Sequence, residues 1–185
     1  MSDYGELRKA AVKARNALNK QRSRQMEQRV AKFLRGDRVP MSGAGSIKGD
    51  VDIHTPHGRL LIECKCTAQT DVNYTPTMYI RFEWLKELDK DVNSMRSKFG
   101  ALIIHYHKQR PDFVFIKQEI YEYLSPGLHT YNVLDKSKTG SWRVTKKHIE
   151  DRLKSGVFCL LTKFGSYVII TIDEFRDLLY NGSPS

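Results

Sequence analysis

Residues 50–67 constrain this chain more than any other stretch. Residues 51–54 and 59–67 read as the two strands of a hairpin, turned at Thr55-Pro56-His57-Gly58, with Pro and Gly where a turn tolerates them. Side chains alternate across a strand. On the second strand Leu60, Ile62, Cys64 and Cys66 therefore share one face, and Leu61, Glu63, Lys65 and Thr67 the other. On the first strand Val51 and Ile53 lie opposite to Asp50, Asp52 and His54. A turn of two or four residues pairs Val51 with Ile62 and Asp52 with Leu61. That register joins the apolar sets on a core face, with both cysteines among them. It gathers Asp50, Asp52, Glu63 and Lys65 on the other face.

Such a patch suits one kind of chemistry. Neighbouring carboxylates repel unless a cation sits between them. Oxygen ligands with room for waters fit Mg²⁺, with Mn²⁺ as a substitute. The ion polarises a phosphodiester oxygen and helps to form a hydroxide nucleophile. A nearby lysine orients the water and meets developing negative charge. The residue types thus point to phosphodiester hydrolysis.

The charge distribution names the matching substrate. Residues 1–48 hold twelve Lys and Arg against four acids, so they carry eight of the chain's net ten positive charges. A basic segment of this kind attracts a polyanion, usually nucleic acid. No apolar run is long enough to span a membrane, and MSDYGELRKA lacks the apolar stretch of a signal peptide. Three cysteines, two of them Cys64 and Cys66, make no disulfide framework, which leads to the expectation of a reducing cytoplasm. Cys64-Lys65-Cys66 also falls short of the four ligands that structural zinc needs.

The rest of the chain reads as a mixed α/β domain. Residues 5–35 read as a basic helix stopped by Gly36, with residues 1–21 an arm or extension beyond the core. Residues 41–49 form a glycine-rich loop and residues 68–79 a polar loop. Residues 80–98 space Phe82, Leu85, Leu88, Val92 and Met95 as a helix. Residues 101–107 and 113–117 read as strands, and 119–124 as a short helix, closing a core over 22–124. Residues 125–150 are polar and basic and read as a long loop or insertion. Within 151–185, a last hairpin (157–162 and 167–171) precedes a helix over 174–180 that Asp173 caps. His54, His105, His107, Tyr74, Tyr79, Arg81 and the basic residues over 136–147 are secondary candidates for substrate contact.

At this point the residues resemble the PD-(D/E)xK nuclease superfamily. Its pattern is an Asp at the start of a hairpin and Glu-x-Lys on the next strand, here Val51-Asp52-Ile53 and Ile62-Glu63-Cys64-Lys65. Asp50 remains an alternative, since the pairing sets it directly opposite Glu63. Within the superfamily, residues 22–107 look most like the archaeal-type Holliday junction resolvases, which also occur in viruses. Those begin with a basic helix carrying a Glu, here Glu27, followed by a Ser/Gly-rich loop, here Ser42-Gly43-Ala44-Gly45-Ser46. The family often has an Arg just before that loop. This chain has Pro40-Met41 there, and Arg38 is the candidate replacement.

The resemblance implies a restriction-endonuclease-like core, a mixed sheet flanked by helices. It implies Asp52 and Glu63 as ligands of Mg²⁺, Lys65 as the group that positions the water, and Glu27 as an additional carboxylate acting directly or through water. Ser42, Arg29, Arg38 and Lys48 would contact the substrate. The activity implied is resolution of four-way DNA junctions by a homodimer, because two symmetric nicks call for two symmetric sites. Two alternatives stay open: a restriction-like, repair or host-DNA-degrading endonuclease on duplex DNA, and a DNA-binding protein without catalysis.

Overall fold

The computed structural model describes residues 3–39, 49–67, 75–106, 109–136 and 139–181 of the 185-residue chain. Its first element is α1 (Asp3–Phe33), rich in Ala, Leu, Lys, Arg and Gln and free of proline. The helix ends with the Gly36 N–H donating to Ala31 O at 2.8 Å, a Schellman-type closure. The left-handed residue of that closure is Arg35, at φ 54°, not the glycine expected as the stop. Gly36 serves another purpose. A Cβ there would lie 2.4 Å from Ile53 Cγ1 and 2.8 Å from Asp52 O, so glycine lets the chain run tightly against the next strands.

Those strands are β1 (Asp37–Arg38), β2 (Val51–Thr55) and β3 (Gly58–Thr67). Next come β4 (Thr77–Arg81), α2 (Phe82–Ser94), β5 (Phe99–Tyr106), β6 (Phe113–Lys117) and α3 (Gln118–Leu124). The chain closes with β7 (Tyr131–Asp135), β8 (Ser141–Thr145), α4 (Lys146–Leu153), β9 (Val157–Thr162), β10 (Gly165–Thr171) and α5 (Ile172–Tyr180). Thr171, rather than Asp173, caps α5 by accepting the Glu174 N–H.

Eight strands form one sheet in the order β1-β2-β3-β5-β6-β10-β9-β7, while β4 and β8 pair separately. The large sheet is mixed, with β3 parallel to β5 and β7 parallel to β9. The β2–β3 register pairs Val51 with Ile62 and Asp52 with Leu61, as strand parity requires. Both faces are covered. Met26 and Val30 of α1, Leu34 just beyond it, and Phe175 and Leu179 of α5 pack on Val51, Ile62 and Cys64. Phe82 and Leu85 of α2, Trp142 of β8 and Ile149 of α4 pack on Leu61, Leu102 and Phe115. No helix among the described residues is long and apolar enough to cross a membrane.

Two segments differ from the expectation. The start of the helix expected over 80–98 is strand β4: Met78 and Ile80 are buried while Tyr79 and Arg81 are exposed, a period of two. Residues 125–150 are not a loop. They contain β7, β8 and the first part of α4, and β8 hides its own alternation, Trp142 and Val144 inward between polar residues. Both strands are stabilised by pairing with partners far away in sequence, β4 with β8 and β7 with β9.

A buried ion cluster ties α1 to the sheet. The Asp112 side chain is fully buried and faces Arg29 Nη2 at 2.8 Å and His105 Nδ1 at 2.7 Å. The Arg29 contact is an ion pair without aligned hydrogen-bond geometry. Removing one member of a buried pair strands the other's charge. Asp112→Ala is expected to cost about 3 kcal/mol in urea unfolding. A loss below about 1 kcal/mol would show that the cluster does not hold the helix.

Candidate active site

The site begins at Gly49, where φ is 79°. A Cβ there would lie 2.7 Å from Leu61 Cγ, so only glycine lets the chain enter β2 this close to β3. The next residue is thereby pressed onto β3. The Asp50 N–H donates to Ile62 O at 2.7 Å, and Asp50 Oδ2 accepts the Cys64 N–H at 2.8 Å.

Asp52 has a different setting. Arg59 Nε lies 3.0 Å from Oδ1 and Nη2 lies 2.7 Å from Oδ2. The same guanidinium donates to Met95 O, just past α2, at 3.1 Å. Asp52 is thus one half of a fork-on-fork ion pair at the turn end of the hairpin, and the hydrogen bonds to it, then its charge, raise the Arg59 pKa.

Glu63 and Lys65 stand together two residues apart on β3, the ammonium donating to the carboxylate. The Lys65 ammonium also lies over the Trp84 ring, 5.3 Å from its centroid, a cation–π contact. Burial raises the Glu63 pKa, as do the charges of Asp50 and of Asp91 on α2, while Lys65 opposes the shift. Glu27 is 7% exposed and accepts Arg38 Nε at 2.6 Å. Its charge still reaches the sheet: burial and then Asp50, Glu63 and Glu27 push the Cys64 thiol well up. Three carboxylates therefore act on one buried thiol from the two sides of β3.

The expected site residues are thus distributed unevenly. Glu63 and Lys65 are in contact, with Asp50 acting on Glu63. Asp52 is held by Arg59, Glu27 by Arg38, and Arg29 by Asp112. Ser42 and Lys48 lie outside the described residues, as do Tyr74 and His107. His105 belongs to the Asp112 cluster, and Tyr79 carries Arg143 over its ring at 5.7 Å. Sequence reasoning missed Arg59, Trp84 and Asp91. Trp84 and Asp91 are seven residues apart on α2, hence on one face, but nothing local says that this face meets β3.

Among the described residues, no three His, Cys, Asp or Glu groups gather closely enough to hold one ion together. A small oxygen-ligand ion does not need three. Mg²⁺ is commonly held by one or two carboxylates, with waters and substrate phosphate completing the shell. Asp50 and Glu63 fit that demand: both are oxygen donors, and the repulsion that raises Glu63 is what a cation relieves.

The sequence matches no protein-family model and no curated protein. Among solved structures, the chain is similar to the Hjc Holliday junction resolvase of Archaeoglobus fulgidus. The identity is 11%, the match covers 84% of this chain and 95% of that one, and the TM-score is 0.47.

The electrostatics make a directional prediction. A carboxyl whose pKa is raised on folding contributes stability below its unfolded pKa, near 4.3, and that contribution is lost as pH rises through the folded value. Asp50→Asn keeps the oxygen that accepts the Cys64 N–H but removes the charge. In metal-free buffer the variant is expected to show a lower Glu63 pKa by NMR titration, and to lose less stability than the parent between pH 4 and pH 8. An unchanged Glu63 titration would separate the two carboxylates.

Proposed function

We propose that the β2–β3 hairpin is the catalytic site of a metal-dependent DNA endonuclease. Asp50 and Glu63 are its metal-holding pair, and Lys65 is its water-positioning group. The supporting observation is the charge of Asp50 acting on half-buried Glu63 while Lys65 donates to the same carboxylate. Like charges brought together at partial burial are a cost that folding alone does not reward.

Asp50 replaces Asp52 in this reading because the charge of Asp50 acts on Glu63, whereas Asp52 is turned to the Arg59 guanidinium through both oxygens. The motif then reads Asp50, just before β2, with Glu63 and Lys65 on the adjacent β3. A bound Mg²⁺, or Mn²⁺ in its place, would supply Lewis-acid polarisation of the phosphodiester and offset charge on the leaving oxygen. The chain supplies the rest. Lys65, braced by Trp84 and Glu63, holds and orients the attacking water. Its positive charge meets the negative charge that builds on the phosphate. Glu27 acts from behind β3 through water or through Arg38. Arg38, Ser42 and Lys48 are the proposed substrate contacts, while Arg29 serves the fold. The substrate proposed is branched DNA, four-way junctions above all, nicked symmetrically by a homodimer.

Nicking of labelled four-way junctions and matched linear duplexes with Mg²⁺ tests this. Asp50→Asn, Glu63→Gln and Lys65→Ala are each expected to reduce kcat by about 10²-fold or more. Asp52→Asn is expected to cost less than about 10-fold, because it removes a structural pair rather than a ligand. A reversed order for Asp50 and Asp52 would return the motif to Asp52. Equal cutting of junction and duplex would remove the junction preference and keep the nuclease. If all four variants cut like the parent, catalysis lies elsewhere.

A further inference from the structure

Side chains seven residues apart on a helix stack on one side, drifting by about 20° per step. Arg8, Arg15, Arg22 and Arg29 of α1 follow that spacing. Arg29, nearest the core, is held by Asp112. The other three form no ion pair among the described residues; Arg8 and Arg15 are exposed and Arg22 is half-buried. Arg15 and Arg22 line a groove of about 680 Å³ between α1 and the end of β3, together with Ala14 and Leu18 of the helix and Cys66 and Thr67 of the strand. Cys66 and Thr67 directly follow Lys65, so the groove opens where the Glu63–Lys65 segment ends.

We propose that Arg8, Arg15 and Arg22 form a track for the phosphate backbone of nucleic acid, running from the end of β3 along α1. The proposal deepens the nuclease reading and rests on it only for what the track serves. Charge favours this occupant: residues 6–25 contain seven Lys and Arg and one acid, Glu6. The chemistry fits as well, since guanidinium binds phosphate through paired N–H donors. The length is suitable too. Arg8 to Arg22 spans about 21 Å at 1.5 Å per residue, roughly six phosphates of one duplex strand. Ala11 and Ala14, beside the arginines, let a bulky backbone come close.

A second copy of α1 is the competing occupant, because Leu7, Ala11, Ala14 and Leu18 have the four-three-four spacing of a coiled-coil stripe. The flanks argue against it. Arg8, Arg15 and Arg22 lie on one side of that stripe and Ala10, Ala17 and Arg24 on the other. In a parallel pair only Arg8 would meet an acid, Asp3, and Arg15 and Arg22 would face Ala10, Ala17 or Arg24; in an antiparallel pair arginine would face arginine.

The helix provides its own control. Lys9, Lys13 and Lys20 form a second cationic row, roughly 140° around the helix from the arginines. The full chain in EDTA would be titrated with labelled duplex and four-way junction DNA over a range of salt. The triple variant Arg8→Gln, Arg15→Gln, Arg22→Gln is expected to lose about 2.7 from the log–log salt slope, about 0.9 per phosphate contact. The charge-matched triple Lys9→Gln, Lys13→Gln, Lys20→Gln is expected to lose less than about 0.9. Equal losses in the two triples would reduce the track to general charge and overturn the proposal, as would no loss in the arginine triple. A change in sedimentation with DNA binding intact would hand the face to a second copy and overturn it too. A parent protein that binds through the arginines but never nicks DNA would refute the nuclease reading and leave the track standing.

Discussion

The parity of β3 determines where each group around Glu63 points. This strand lies inside the sheet, hydrogen-bonded to β2 on one side and β5 on the other, with apolar layers above and below. Ile62 and Cys64 enter the core under α1, and Leu61 enters the one under α2. A slip of one residue against β2 would drive Glu63 and Lys65 under α1 and force Ile62 among the charges. Burial on both faces therefore fixes the register far more firmly than a wet hairpin could. The carboxylate–lysine contact inherits that rigidity without a loop to hold it.

The same parity constrains α1. The lower half of the helix packs on the face that carries Cys64, and its orientation is locked at Asp112 by Arg29 and His105. Because Asp112 is fully buried and its partners half-buried, the lock acts at short range and largely shielded from water. It also commits Arg29 to structure. Above that point the helix leaves the core, and residues 6–21 are exposed on every side. Their direction is nonetheless set by the anchored half, since an unbroken helix transmits orientation along its axis.

Local information sufficed for part of this and failed elsewhere for physical reasons. The β2–β3 register, the core-facing cysteines and the Glu63–Lys65 contact follow from alternation and a short turn, which act over fewer than twenty residues. The strands β4, β7 and β8 were not legible, because each depends on a partner distant in sequence. The helix expected over 80–98 was right in its second part, where Phe82, Leu85 and Leu88 recur as α2 requires. It was wrong at Ile80 and Arg81, as the polar loop expected over 68–79 was wrong at Met78, because the five residues of β4 suit either period. In the proposed site the preference for Asp50 over Asp52 rests on Arg59. Its own strand position is ordinary, and only its reach across the hairpin decides which acid is neutralised.

That reach gives the hairpin its charge balance. Asp50, Asp52 and Glu63 belong to one face, and three unpaired carboxylates there would raise one another strongly. The Arg59 fork meets the charge of Asp52 and ties it toward the end of α2. The charges left to act on Glu63 are Asp50 and Asp91, against Lys65. The net environment is acidic but not prohibitively so: one lysine holds Glu63 in place, while burial and then the charges of Asp50 and Asp91 keep its pKa raised. A pair of carboxylates in that condition is structured without a cation and has more to gain from one than a fully neutralised cluster would. Arg59, absent from any motif, is therefore the residue that sets Asp52 apart from the two carboxylates of the proposed site.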